Sequence, residues 1–534
     1  MARSIIAQVI ASLILAAASC SLAAFTPVFA TSDECAFCHT SSPSALIDSK
    51  GNDLSIADDW SSTIMGNSFH DPLFRAKVET EVVRNPRLTD AIEDKCLTCH
   101  APMARTQALR DGAAHYAFAE AATSEFASDG VSCALCHQIQ DHALGSDSSF
   151  SGRYTITDER YIFGPYKQVF ANPMMNHVNY LPTYGGHIDN PGLCAVCHTL
   201  FTPYVDEEGN IAGEFPEQTP YLEWLNSAYA SPETYRSCQD CHMPRVEEPV
   251  KISNRPPWYQ VRQSPFWKHH FVGGNRYILE MMKDNRELLG IAAPEGLFSR
   301  TIARTEQRLS QEAAEIMIER VEQRDQRLEI DVGVVNNTGH KFPTGFPSRR
   351  AWLHLTVSDN QKRLIFESGA FTAQGEIAGL NSPYEPHHAV IDAADQVMIY
   401  QSIMGDVTGK RTDTLLQAAT YLKDNRLPPR GYRQSGQMAS YTSIRGNAAR
   451  DDNFNVRNKQ EGSGADTVTY VVEVVDAEYP LAINVELLYQ SNSPRFLEDL
   501  IREETPAVAR FSQISSDSKN TPVTVDAIRY QWSN

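Results

Sequence analysis

Residues 238–245 read Cys238-Gln239-Asp240-Cys241-His242-Met243-Pro244-Arg245. Two thiols and an imidazole occupy five consecutive positions. Such a turn suits a zinc knuckle, a redox disulfide or the grip on a larger cofactor. The rest of the chain separates these readings. The same C-x-x-C-H unit recurs at Cys35-Ala-Phe-Cys38-His39, Cys96-Leu-Thr-Cys99-His100, Cys133-Ala-Leu-Cys136-His137 and Cys194-Ala-Val-Cys197-His198. Cys20 alone lies outside the five units.

A zinc site draws on two Cys pairs, or on a Cys pair and a spaced His pair, and has no need of His at every fifth position. A thioredoxin-type disulfide is single and lacks the His. Covalent haem attachment accounts for every feature. Two thiols add across the vinyl groups of one porphyrin, and the adjacent His lies under the iron as proximal ligand. The expectation is five haem c groups. Their thioethers are Cys35, Cys38, Cys96, Cys99, Cys133, Cys136, Cys194, Cys197, Cys238 and Cys241, and the proximal ligands are His39, His100, His137, His198 and His242. No cysteine of the mature chain remains for a disulfide between distant segments, although exported proteins often use them.

The first thirty residues read as a signal peptide: Arg3, an apolar run from Ile5 to Ser19, then Val28-Phe29-Ala30 as a cleavage site. The expected location is periplasmic or extracellular. Acylation at Cys20 is a weaker alternative, since Ala17 stands where such sites prefer Leu. No later apolar run reaches the ~20 residues of a membrane span. The 534 residues exceed one compact core. A formal charge of −19 argues against nucleic acid and suits a protein that meets cationic patches on others, or one that is simply soluble.

The expected fold class is α+β. Residues 31–265 form a pentahaem cytochrome c domain of short helices and long loops, with the porphyrins themselves as its interior. Helices are expected over 58–65 and 72–83, opened by Asp58-Asp59 and Asp71-Pro72. Residues 266–325 read as a helical connector. Ile278, Met281, Met282, Leu288 and Leu289 have helical spacing up to Gly290, and Ile302, Leu309, Ala313, Ile316 and Val321 line a second helix over 301–326. Met317 reads as core rather than ligand. Residues 326–534 read as a β-sandwich-like domain, with alternating strands at 327–335, 351–359, 363–371, 467–475 and 481–490. A turn is expected at Asp359-Asn360, a helix at 494–503, and a polar surface loop over 425–466.

Each iron has a second axial position. The candidates for distal ligand are His70, His115, His177, His187, His269, His270 and His340. His187 lies on a Gly-rich turn, His269 and His270 beside aromatic residues and a Gly pair, and His340 in a Pro-stiffened loop. His354 reads as strand core or surface. Met65, Met103 and Met243 are competing ligands. Asp451, Asp452 and Asp466 could hold calcium, against a solvated loop.

Several segments resemble hydroxylamine-oxidoreductase-like multihaem cytochromes. They are residues 58–74 (DDWSSTIMGNSFHDPLF), the motif run, 268–275 (KHHFVGGN) and 338–355 (TGHKFPTGFPSRRAWLHL). His340-Lys341-Phe342-Pro343-Thr344-Gly345 is similar to the H-x-F-P-T-G element of that group, and the resemblance implies a haem against His340. Hydroxylamine oxidoreductases carry more haems and a crosslinked tyrosine, and pentahaem nitrite reductases carry a C-x-x-C-K unit. Neither feature is found here, so the catalytic types do not transfer. The expected function is electron transport along closely spaced haems. The partners would be other redox proteins, either cytochromes or a quinol-oxidising complex. The alternative is an oxidoreductase acting on a small nitrogen or sulfur compound at one open haem, with catalytic residues unknown and His387, His388, Lys341, Arg349 and Arg350 as candidates.

Overall fold

The computed structural model describes residues 27–380 and 384–533. The apolar leader and Cys20 lie outside the described residues. Val28 and Phe29 lie within them and are buried. The Val28 N–H donates to Gln107 Oε1 at 2.9 Å, and the Val28 carbonyl accepts from the Tyr180 hydroxyl at 2.9 Å.

Helices and sheets both contribute, as an α+β chain requires. The N-terminal part is made of short helices. Pro72–Arg84 opens where expected: the Asp71 carboxylate accepts from the Leu73 and Phe74 N–H groups, and Pro72 takes the first helical position. Asp58 and Asp59 fall inside Ile56–Ser61 instead of opening it, because Ser55 is the cap. Apolar residues here form separate small clusters. Phe69, Phe74, Leu97 and Ala101 make one, Leu135, Ile139, Tyr180 and Val196 another, and Leu46, Leu54, Val250 and Phe266 a third.

Arg276–Asp284 and Arg286–Leu289 follow, ending at Gly290, whose φ of 72° a side chain would strain. The next helix, Glu295–Arg308, is shorter than expected. A π-turn spans Leu309–Ala313, and Ala314–Arg324 is a strand rather than helix. Leu309, Ala313 and Ile316 continue a helical spacing, while Ala314, Ile316 and Ile318 alternate. Pairing decided between them. The segment turns at Asp325 and lies antiparallel to Arg327–Asn336, with Arg320 bonded across the ladder to Asp331 at 2.7 Å. Met317 is half-buried on that strand, opposite Gly333.

Two largely antiparallel sheets share the largest core. One runs Val390–Ile391, Ala465–Glu473, Arg327–Asn336, Ala314–Arg324. The other runs Thr420–Asp424, Ile399–Gly405, Arg350–Ser358, Leu481–Gln490, Val523–Trp532, with Leu364–Ser368 added on Arg350–Ser358 through the turn after Asp359. Inward residues such as Ile330, Val332, Leu353, Leu355, Val468, Tyr470, Ile483 and Val485 are fully buried between them. Residues 425–466 are not merely a surface loop. Leu427, Tyr432, Ile444, Ala448 and Phe454 enter this core, and Phe342 pairs with Leu427 in a β-bridge.

The chain then returns to its beginning. Pro494–Leu500 and Pro506–Ser516 pack Phe496, Leu500, Val508 and Phe511 against Leu73, Ala76, Phe298 and Ile302. The expected helix at 494–503 is Pro494–Leu500, and a second, unexpected helix, Pro506–Ser516, follows it with Thr505 as its cap. No helix among the described residues is long and apolar enough to cross a membrane.

Candidate haem-binding centre

Each C-x-x-C-H unit sits on a helical turn. The first lies in Ser32–His39 and the second ends Thr89–His100. The third and fourth overlap Cys133–Cys136 and Pro191–Ala195, and the fifth is Cys238–His242. Helical spacing puts the two thiols on one face, with the imidazole one turn above the first. The fifth turn is locked by a capping box, in which Ser237 and Asp240 satisfy each other's backbone N–H.

All ten cysteines are unpaired thiols here and half-buried. The turns converge. Cys35 lies within hydrogen-bonding reach of Cys133, Cys99 of Cys197, and Cys194 of Cys238. The first turn therefore adjoins the third, and the fourth adjoins both the second and the fifth. Among the described residues no motif cysteine belongs to a group of three close ligand atoms.

The imidazoles are set as ligands need to be. The Nδ1 atoms of His39, His100, His137 and His242 face the carbonyls of Ile252 (2.9 Å), Ser68 (3.2 Å), Phe163 (2.5 Å) and Val272 (2.6 Å). That bond holds the proton on Nδ1 and leaves the Nε2 lone pair free. Burial pushes His100 and His242 down to about 4, so both rings are neutral near pH 7.

Two candidate distal histidines face motif histidines. The ring centroids of His137 and His269 are 6.3 Å apart with planes at 18°, and those of His242 and His340 are 6.3 Å apart at 27°. Two imidazoles on opposite sides of one metal, each nitrogen ~2.0–2.1 Å from it, stand about 6 Å apart between centres. The residues present thus fit an iron porphyrin between each pair. His269 Nδ1 faces the Trp267 carbonyl at 3.0 Å and His340 Nδ1 the Lys341 carbonyl at 2.9 Å, again leaving Nε2 free. Burial drives His269 down to about 3.

The remaining candidates have other surroundings. His70 bonds through both nitrogens, Nδ1 to the Leu289 carbonyl at 2.7 Å and Nε2 to Ser128 Oγ at 2.9 Å. His115 is exposed, 3.8 Å from Asp90. His177 stacks on Phe37 of the first motif at 4.8 Å and meets Glu34 at 3.2 Å. His187 is buried, its Nε2 on the Ile139 carbonyl at 2.9 Å. His270 lies 3.5 Å from Asp59, and burial beside Arg304 pushes it down to about 3. Met103 is buried in an apolar cluster, and Met65 and Met243 are half-buried. Among the described residues His39, His100 and His198 have no imidazole ring paired with them, and at His198 the nearby Arg349 charge adds to burial in lowering its basicity.

The loop carrying His340 is held by a buried ionic network that nothing in the sequence announced. Lys341 Nζ meets Asp424 Oδ2 at 2.7 Å, Arg426 meets the same carboxylate at 2.7 Å, and Arg426 reaches Glu223 at 3.1 Å. Glu223 Oε2 in turn accepts from the Lys341 N–H at 3.0 Å and the Thr344 hydroxyl at 2.5 Å. Glu223 follows Pro220 on a short helix of the motif-bearing half, Asp424 ends the strand Thr420–Asp424 of the second sheet, and Arg426 lies just beyond it. The network joins the two halves at His340.

Arg350 is buried, bonding Gln490 at 2.9 Å and the Gly375 carbonyl at 2.6 Å, so Arg349-Arg350 is not a solvated pair. His354 bridges Glu367 and Glu486 at 3.0 and 3.1 Å. His388 meets Glu385 at 2.7 Å.

His387, Asp451 and Asp466 cluster in the sheet domain, and Asp452 is exposed outside the group. Asn425 donates to His387 Nδ1 at 3.1 Å, and its amide is pinned by the Ile399 carbonyl and the Gln401 N–H. The ring proton therefore sits on Nε2, donated to Asp451 at 2.8 Å. Burial raises Asp466 to about 6. A folded value above the unfolded ~3.9 means the folded chain binds more protons between those limits, so stability falls as pH rises from ~4 to about 6. Asp466→Asn is expected to abolish that fall and stabilise the protein by about 1–3 kcal/mol at pH 7. Thermal unfolding at pH 4.5 and 7 checks this.

Five such turns in an α+β chain share their fold with a multihaem c-type cytochrome. No protein-family model and no curated protein sequence matches the chain. A solved structure shares the fold: the crystal structure of a penta-heme cytochrome c552 from Thermochromatium tepidum. It is 14% identical, with a TM-score of 0.54 over 95% of this chain and 100% of that one. At that identity the likeness is one of fold.

Proposed function

We propose that this protein is an exported pentahaem c-type cytochrome that carries electrons along closely spaced haems between redox partners. The observation that carries the reading is the spacing of 6.3 Å in both imidazole pairs, His137 with His269 and His242 with His340. Five haem c groups would be held by the ten motif cysteines, with the five motif histidines as proximal ligands. His269 and His340 are the favoured distal ligands. Bound iron porphyrin supplies reversible one-electron chemistry. The chain's residues keep the ligand nitrogens unprotonated, fix the ring tautomers through backbone carbonyls and bury the sites. The partners would be cytochromes or a quinol-oxidising complex in the periplasm or outside the cell. A calcium ion at Asp451 and Asp466 is a separate proposal, tested by a drop in melting temperature on chelation.

A second reading has its own observation. His198 has Arg349 as its charged neighbour. An open fourth site there would suit a small nitrogen or sulfur oxyanion. Electron paramagnetic resonance of the oxidised protein and carbon monoxide binding by the reduced protein decide between them. A wholly low-spin set that ignores carbon monoxide supports the carrier. One high-spin, carbon-monoxide-binding iron supports the enzyme.

A further inference from the structure

The first C-x-x-C-H turn is wrapped by two segments without acidic residues. Residues 249–268 contain Lys251, Arg255, Arg262 and Lys268, and residues 160–188 contain Arg160 and Lys167. The whole chain, by contrast, carries a formal charge of −19. The segments pack together: the Gln263 side-chain amide donates to the Gln168 carbonyl at 2.9 Å, and the Tyr166 hydroxyl to the Pro265 carbonyl at 3.0 Å. The 249–268 segment also grips the motif. Its Ile252 carbonyl holds His39 Nδ1 at 2.9 Å, and the Asn254 N–H donates to the Cys38 carbonyl at 2.9 Å.

Aromatic side chains stand on this face. Trp258 is 69% exposed. It meets Phe170 edge-on at 5.6 Å, and Phe170 stacks on Tyr259 at 5.0 Å. Phe37, inside the motif itself, is 49% exposed under the Arg255 guanidinium, which lies 4.1 Å from the ring centre. Lys167, Arg255 and Arg262 are exposed; the Glu34 carboxylate enters the face at His177, 3.2 Å away, and Asp33, Glu247 and Glu248 flank the motif and the 249–268 segment in sequence. Trp, Tyr and Arg are the residue types that anchor protein interfaces, and contiguous apolar surface is seldom left in water without use.

We propose that this face is the docking surface for an acidic one-electron carrier protein, which exchanges electrons at the first C-x-x-C-H site. The inference rests on the haem reading of the motifs. Charge selects the occupant. An acidic protein is repelled by most of this molecule and attracted by this face, so the field both excludes wrong approaches and orients the right one. Contact between the wrapping segments and the first motif puts a docked protein beside the site where electrons would enter or leave.

The test uses the haem-loaded protein and reduced flavodoxin, an acidic donor. The flavin hydroquinone anion becomes the neutral semiquinone, and the electron it releases reduces one ferric iron, with no other bond made. In stopped-flow mixing the parent rate constant should fall as salt rises. Lys167→Glu with Arg262→Glu should lower it ~10-fold or more at low salt. Trp258→Ala should lower it ~10-fold while keeping the salt dependence. Equal rates in all three proteins would overturn the proposal. So would shielding of Trp258 from oxidative footprinting in the loaded protein, or tight sedimentation with phosphatidylglycerol vesicles that blocks flavodoxin. Failure of the haem reading looks different: a colourless protein with no optical change on mixing.

Discussion

Replacing Cys238 and Cys241 by serine is expected to yield a protein carrying four porphyrins instead of five. Thioether bonds to both sulfurs are the only covalent hold the fifth turn offers, and the Ser237–Asp240 capping box preserves the turn itself. The intact mass should drop by one haem plus the sulfur-to-oxygen change, and the pyridine haemochrome absorbance should fall by a fifth. His340 would lose its counterpart, since His242 would no longer sit against a fixed ring at 6.3 Å. An unchanged mass with free thiols in the parent would sink the cytochrome reading altogether.

Asp424→Asn is the second large effect. Lys341 and Arg426 both meet this carboxylate at 2.7 Å, and all three side chains are at most 5% exposed. Removing one member of a buried ionic group leaves the others uncompensated, which costs about 3–5 kcal/mol. The melting temperature should fall accordingly. The network also holds the His340 loop through Glu223, so the substitution should loosen that histidine. A new high-spin signal in the oxidised protein, absent from the parent, is the signature. Asp424→Glu should restore part of both. A large fall in melting temperature with an unchanged low-spin spectrum would assign the network to stability alone.

Legibility followed the range of the interactions. The five motif turns were plain because all their chemistry lies within five residues. Pro72–Arg84 was plain because its cap and its proline are adjacent in sequence. Seven candidate distal histidines could not be ranked closely. Whether an imidazole faces a motif histidine depends on chain far away: His269 on the third turn, His340 on the fifth. The strand at Ala314–Arg324 read as helix because its apolar spacing fits both periods, and only the ladder with Arg327–Asn336 selects one. The 425–466 segment read as surface because its polar residues outnumber its apolar ones. Asn425 and Arg426 are nevertheless buried, their groups satisfied by His387, Ile399, Asp424 and Glu223. Glu223 carried no signal at all, since a glutamate in a short helix is ordinary until its partners are placed.

The return of the chain to its own beginning has an outcome for synthesis. Arg84 is bound by Asp499 and Glu503, and the Ala507 N–H donates to Glu79. Leu73 and Ala76 of Pro72–Arg84 are therefore covered in part by residues made more than four hundred positions later. Until those residues are made, that flank of the nascent chain stays bare. Premature termination before Pro494 would leave a pigmented but sticky product, prone to self-association, rather than a smaller working one.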